Sequence, residues 1–105
     1  GVRYVVMEVE AEMKALMSML GELTRDPSKP TLAVLGTKEE GGRIIVASTE
    51  DSLAEERHSA VDILNSISIH INGGGGGNRT MAQGGGSNPD GISKALDSAR
   101  EILGL

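Results

Sequence analysis

Gly73-Gly74-Gly75-Gly76-Gly77-Asn78-Arg79-Thr80-Met81-Ala82-Gln83-Gly84-Gly85-Gly86 decides how this chain is read. If the stretch is a flexible linker, the last helix hangs free of the rest. If it is ordered, it belongs to the domain and faces something. Oligoglycine is commonly a flexible coil. Here, however, patterned apolar sequence stands on both sides, and a fourteen-residue mobile segment inside a small domain is uncomfortable. A partly mobile loop that orders on a ligand is the expected compromise. Backbone without Cβ atoms brings its N–H groups flat against a partner, as contact with phosphate, nucleotide or nucleic acid requires.

The flanks must then supply one modest core, since 105 residues suffice for a single domain. With no Phe or Trp and only Tyr4, that core is built from Val, Ile, Leu, Met and Ala. The absence of cysteine excludes disulfides, zinc–thiolate sites and a thiol nucleophile. No window approaches the roughly 18 apolar residues of a membrane span, and a signal-peptide pattern is lacking. A soluble, cytoplasmic domain with no membrane partner is the expectation. The net charge of −5 argues mildly against nonspecific polyanion binding. Its distribution weakens that objection, because no carboxylate lies between Asp62 and Asp90, whereas His70 and Arg79 do.

Upstream of the glycines, VRYVVMEV (2–9) is rich in β-branched residues and predicts a buried strand. Met13, Leu16, Met17, Leu20 and Leu23 or Thr24 then follow helical spacing, predicting a helix over roughly 10–25 that ends at Asp26-Pro27. Thr31–Leu35 and Arg43–Ser48, joined by a polar Gly-containing turn, predict an antiparallel hairpin. Ser52 and Glu55 form a capping-box pattern, predicting a helix from Leu53 with Ala54, Val61, Leu64 and Ile67 on its apolar stripe. From Ile67 to Asn72 apolar and polar residues alternate; a short strand is favoured over an irregular helix end. After the glycines, Asn88 as N-cap, Pro89 in the first turn and Asp90 predict a last helix bearing Ile92, Ala95, Leu96, Ala99 and Leu103. The expected class is α+β, a small mixed or antiparallel sheet with helices packed against it. Its order is β-α-β-β-α-(β)-glycine-rich loop-α.

Gly73 through Thr80 nearly satisfies G-x-x-x-x-G-K-[ST], with Asn78 and Arg79 in place of the second Gly and the Lys. Five glycines fill that template cheaply, and Gly84-Gly85-Gly86 would break the helix the motif needs at its Lys. Arg79 with Asn78, Thr80 and Gln83 suits a nucleic-acid backbone or base edge instead, through a fork of donors and donor–acceptor amides. The near-absence of aromatics argues against stacking on extended single strands. A preformed shape is the better partner, with Met81-Ala82-Gln83 expected to anchor the loop. His58 and His70 support no metal site, being more simply read as a partly buried helix residue and a polar-side residue. No base-and-orienter constellation surrounds Ser66 or Ser68, so the chain is not expected to be an enzyme by itself.

The pattern of Gly73–Gly77, then Met81-Ala82-Gln83-Gly84-Gly85-Gly86, then a helix with Ala95-Leu96 resembles the DHHA1-type C-terminal domain of alanyl-tRNA synthetases. The VVMEVE strand, Leu32–Gly36, Ile44–Ala47 and the helix carrying His58 and Ala60 agree in order, so the resemblance covers essentially the whole chain, 1–105. It implies one globular tRNA-binding domain, a fragment of a larger synthetase that contacts the elbow of tRNA(Ala) and supports aminoacylation and editing. The implied nucleic-acid-binding residues are Gly73, Gly74, Gly75, Gly76, Gly77, Asn78, Arg79, Gln83, Gly84, Gly85 and Gly86. No catalytic residue, metal or cofactor is implied here. ATP, Mg²⁺ and Zn²⁺ belong to the parent alanine–tRNA ligase, whose upstream domains are further partners.

Family members often carry a helical dimerisation segment before the globular part. This chain opens on a strand, so any homodimer contact of the parent is expected outside it. One departure stands out: the family pattern often has six glycines and a longer spacer, where this chain has five and then Asn78. Tolerance of left-handed backbone by Asn is the expected reason the loop survives. The alternative is the oligonucleotide- or dinucleotide-binding half of a DHH-type phosphoesterase. That branch typically places a histidine after its glycines, and here Asn78 and Arg79 stand there. A protein-interaction face at Met13, Met17 and Leu20 ranks below both, because the core needs those residues.

Overall fold

Three apolar runs form the centre of a five-stranded sheet. The computed structural model describes residues 3–25, 30–49 and 59–104. Its strands are β1 (Arg3–Glu8), β2 (Thr31–Thr37), β3 (Arg43–Ser48), β4 (Gly73–Gly77) and β5 (Met81–Gly86). The helices are α1 (Met13–Leu23), α2 (Ala60–Ile67) and α3 (Ile92–Leu103). The sheet runs β1-β2-β3-β5-β4; β1 and β2 are parallel and every other pair is antiparallel. The expected α+β class and the β2–β3 hairpin are both present.

Every residue of β2 is buried, because both faces of the sheet centre are covered. Leu32, Val34, Ile44 and Val46 pack with α2 and α3, while Ala33, Leu35, Ile45 and Ala47 pack with α1. That is why these strands read as continuous apolar runs without a polar alternate.

Helix α1 buries Leu16 and Leu20 but leaves Met17 44 % exposed, so its apolar stripe is narrower than its sequence spacing implies. Gly21 lies on its exposed surface, and a Cβ there would meet nothing within 4 Å. Glycine within a helix costs about 0.5–1 kcal/mol relative to alanine. Gly21→Ala is therefore expected to stabilise the domain by about that amount, read as a raised midpoint in urea unfolding.

Helix α2 starts at the N-cap Ser59, whose hydroxyl accepts from the Asp62 N–H at 3.3 Å, and buries Ala60, Ile63, Leu64 and Ile67. The predicted start at Leu53, the Ser52–Glu55 capping box, Ala54 and His58 lie outside the described residues. Helix α3 buries all five predicted positions. Asn88 does not cap it through its side chain. A 3₁₀ turn at Pro89–Gly91 intervenes, and the Asn88 amide donates instead to the His70 carbonyl at 3.1 Å.

The strand expected at 67–72 is absent. Ile67 closes α2 and Ser68–Ile71 continue as a 3₁₀ turn. Ile67 and Ile71, four apart, share the buried side, while Ile69 is 67 % exposed. A strand would have put all three on one face. Asn72 then takes a left-handed conformation, φ 53°, and turns the chain into β4.

The larger correction concerns 73–86. The glycines form neither linker nor loop: β4 pairs with β5 from Gly73↔Gly86 to Gly77↔Ala82, around a tip of Asn78, Arg79 and Thr80. A Cβ on Gly73, Gly75 or Gly77 would fall 2.2, 2.1 or 2.2 Å from the carbonyl oxygens of Gly85, Gln83 and Met81. Only glycine permits this approach of the two strands, which offsets its usual weakness as a strand former.

Candidate nucleic-acid interface

Backbone hydrogen bonds fix how the glycine hairpin presents itself. Ser48 N–H donates to the Thr80 carbonyl at 2.8 Å and Gly86 N–H to the Gly42 carbonyl at 3.1 Å, so even-numbered residues of β5 turn their backbone to β3. Asn78 N–H donates to the Met81 carbonyl at 2.7 Å, so the odd-numbered residues face β4. By the alternation of antiparallel pairs, Gly74 and Gly76 bond into β5. Gly73, Gly75 and Gly77 direct their N–H and C=O groups to the outer edge of the sheet, where β4 is the last strand.

The face shared with Ile45 and Ala47 carries Gly74, Gly76, Met81 and Gln83 in register. A Cβ on Gly74 or Gly76 would meet nothing within 4 Å. All four residues are exposed, giving a flat strip of backbone with one amide beside it. Among the expected anchors only Ala82 is buried; Met81 is 37 % exposed and Gln83 is exposed, because they point to the opposite side from Ala82. On β5, Gly84 and Gly86 are confined by the backbones of Gly74 and Ile71, and Gly85 by the Arg43 side chain. These three glycines build the hairpin more than they present it.

Asn78 serves the tip differently from the sequence expectation. Among the described residues Asn72 is the one non-glycine with positive φ, so tolerance of left-handed backbone is used there and not at Asn78. The Asn78 Oδ1 instead accepts from Thr80 N–H at 2.9 Å, Thr80 Oγ1 at 3.1 Å and Met81 N–H at 3.0 Å. This side-chain-closed turn is a recurrent role of Asn. The carbonyls of Asn78 and Arg79 accept from Val61 N–H at 3.1 Å and Ala60 N–H at 2.9 Å. With Asp62 N–H on Ser59, the first donors of α2 are occupied, so no phosphate cradle exists at that helix end. Arg79 also opens no helix, which disposes of the P-loop-like reading.

Arg79 stands exposed at the tip. Arg3 donates to the Leu23 carbonyl, Arg25 pairs with Glu22, Arg100 pairs with Asp97 and reaches the Val6 carbonyl, and Arg43 is also engaged. No hydrogen bond or ion pair among the described residues engages the Arg79 guanidinium. Asp62 lines the same shallow recess, with Ser59 and Val61, so the carboxylate-free window of the sequence is not carboxylate-free in space. Arg43, absent from the expected set, lies across Gly85 on the strip's face; the cross-strand register Arg43↔Gly85 was its only signal.

His70, half-buried, lines a different recess with Lys94, Asp97, Ser98 and Glu101. Among the described residues no group of three or more His, Asp or Glu could hold a metal ion, and no helix is long and apolar enough to cross a membrane.

Known proteins resemble this chain in sequence and in fold. The chain is 33 % identical over 103 residues to the alanine–tRNA ligase of Pediococcus pentosaceus and 36 % identical over 103 residues to that of Anaeromyxobacter dehalogenans. These alignments cover 98 % and 97 % of the chain but only 12 % and 11 % of the ligases. The crystal structure of the C-Ala domain from Aquifex aeolicus alanyl-tRNA synthetase has the same fold, with a TM-score of 0.77 at 24 % identity, covering 99 % of this chain and 91 % of that one. The DHHA1 domain family matches residues 1–105, and the chain belongs to that family.

Proposed function

We propose that this chain is the tRNA-binding C-terminal domain of an alanyl-tRNA synthetase, holding the elbow of tRNA(Ala) while upstream domains carry out aminoacylation and editing. The observation that carries the reading is the exposed backbone strip at Gly74 and Gly76, ending in an arginine whose guanidinium has no partner among the described residues. A strip without side chains permits van der Waals contact with a flat surface such as a base pair. Arg79 adds a contact to a phosphate, which positions the nucleic acid without reading its sequence. Gln83, beside the strip, offers both a donor and an acceptor. ATP, Mg²⁺ and Zn²⁺ remain requirements of the parent, not of this domain.

The test is a gel-shift titration of the domain with a tRNA(Ala) transcript and with its isolated acceptor-stem minihelix. The intact tRNA should bind more tightly, and Arg79→Ala should weaken it about five- to tenfold at low salt, the loss of one charge-assisted contact. Arg79→Ala should also flatten the dependence of log affinity on log salt by about 0.7–0.9. Equal affinity for tRNA and minihelix would remove the elbow from the proposal.

A further inference from the structure

We propose that Asn78 is a positioning residue for this interface, acting through Arg79; this rests on the tRNA-binding reading above. Arg79 sits between two fixed points. On one side the Asn78 Oδ1 gathers three donors from Thr80 and Met81. On the other, the Asn78 and Arg79 carbonyls are held by the first two N–H groups of α2. Two elements of this clamp depend on residue type, the Asn78 side-chain oxygen and the Thr80 hydroxyl that donates to it; the rest is backbone. The Asn78 oxygen is also saturated by its own turn, so it has little capacity left for a ligand.

The consequence is entropic. An arginine on a mobile three-residue tip would have to be ordered when RNA binds, which costs affinity, whereas a tip already fixed meets the phosphate without that cost. Alanine at position 78 keeps the backbone and the charge but loses the acceptor. The tip is then held by its backbone bonds alone, and Arg79 is less closely fixed for its contact.

A double-mutant cycle of Asn78→Ala and Arg79→Ala, titrated with the tRNA(Ala) transcript over a salt series, tests this. Asn78→Ala alone should weaken binding about three- to fivefold, a little less than removal of the charge, and flatten the salt dependence although no charge has changed. In the Arg79→Ala background the same change should cost less than about twofold. Equal losses in both backgrounds, or an unchanged salt slope for Asn78→Ala, would overturn the positioning role. If Arg79→Ala itself binds like the parent at every salt, the tRNA reading at this tip fails first, and the two failures are told apart. Should Asn78→Ala melt below the assay temperature, Thr80→Val replaces it in the cycle. That variant deletes one of the three donors at nearly constant shape and should reproduce the pattern at smaller amplitude.

Discussion

Gly75→Ala is expected to destabilise the domain by about 3 kcal/mol, whereas Gly74→Ala and Gly76→Ala stay within about 0.5 kcal/mol of the parent. The contrast comes from one repeat of the strand. The added Cβ at Gly75 would sit 2.1 Å from the Gln83 carbonyl oxygen and 2.5 Å from the Gly84 Cα, both backbone atoms that cannot rotate away. β4 and β5 would have to separate, exposing the buried Ala82 on their inner side. At Gly74 and Gly76 the same carbon enters open space. Thermal melts of the three variants should therefore differ by roughly 12–24 °C between Gly75→Ala and the other two.

This separates folding from recognition. A bulky residue at Gly75 tests whether the hairpin forms and says nothing about RNA. Gly76→Leu is the informative change, because it should keep the parental melt while lifting tRNA off the strip. If Gly76→Leu binds tRNA as the parent does, the strip is not the contact surface.

Gly91→Ala is expected to cost about 3 kcal/mol as well, for a reason unrelated to backbone conformation. Gly91 has φ −80° and ψ −4°, which any residue adopts, and alanine there would ordinarily help. The decisive term is space. Its Cβ would lie 1.8 Å from the His70 carbonyl oxygen and 3.1 Å from the Asn88 amide nitrogen that donates to that oxygen. The 3₁₀ turn ending at Ile71 and the start of α3 would be forced apart. That would break the Asn88–His70 bond and loosen Ile71 and Ile92, both fully buried. Urea unfolding should show the lowered midpoint, and an unchanged midpoint would mean that the joint between these segments yields easily. Gly104 makes the opposite case: its φ of 76° demands glycine, but nothing crowds it.

Where side chains carried the pattern, the sequence was legible. β2, β3, the inner stripe of α1 and all five buried positions of α3 follow from apolar spacing, because burial of those side chains is what forms the elements. β1 is a strand as its residues predict, but not the buried one expected: it lies at the sheet edge with Met7 and Glu8 exposed and Tyr4, Val5 and Val6 only half-buried. The β4–β5 hairpin was illegible for the converse reason. A strand announces itself by alternation of side chains, and Gly73–Gly77 has none to alternate; its cause lies in the close approach of a partner strand. The alternation at 67–72 misled because Ile69, the residue that completes it, is exposed on a 3₁₀ turn. At the candidate site, the place of Arg79 between the two glycine runs was legible. The split between Gly74 and Gly76 on one side and Gly73, Gly75 and Gly77 on the other was not, nor was the place of Arg43. Both depend on register.

The carbonyls of Asn78 and Arg79 that close the start of α2 also bear on the order of folding. A helix of eight residues is marginal on its own. Two of its opening amides find their acceptors only once the glycine hairpin, which follows it in the chain, has folded back. The hairpin in turn has few side chains with which to hold itself and leans on β3 and α2. Neither half is complete alone, so helix and hairpin should form and open as one cooperative unit. The amides of Ala60 and Val61 then exchange with solvent in step with those of Gly74 and Gly76. In a longer polypeptide made from its N-terminus onward, this surface would be among the last to assemble.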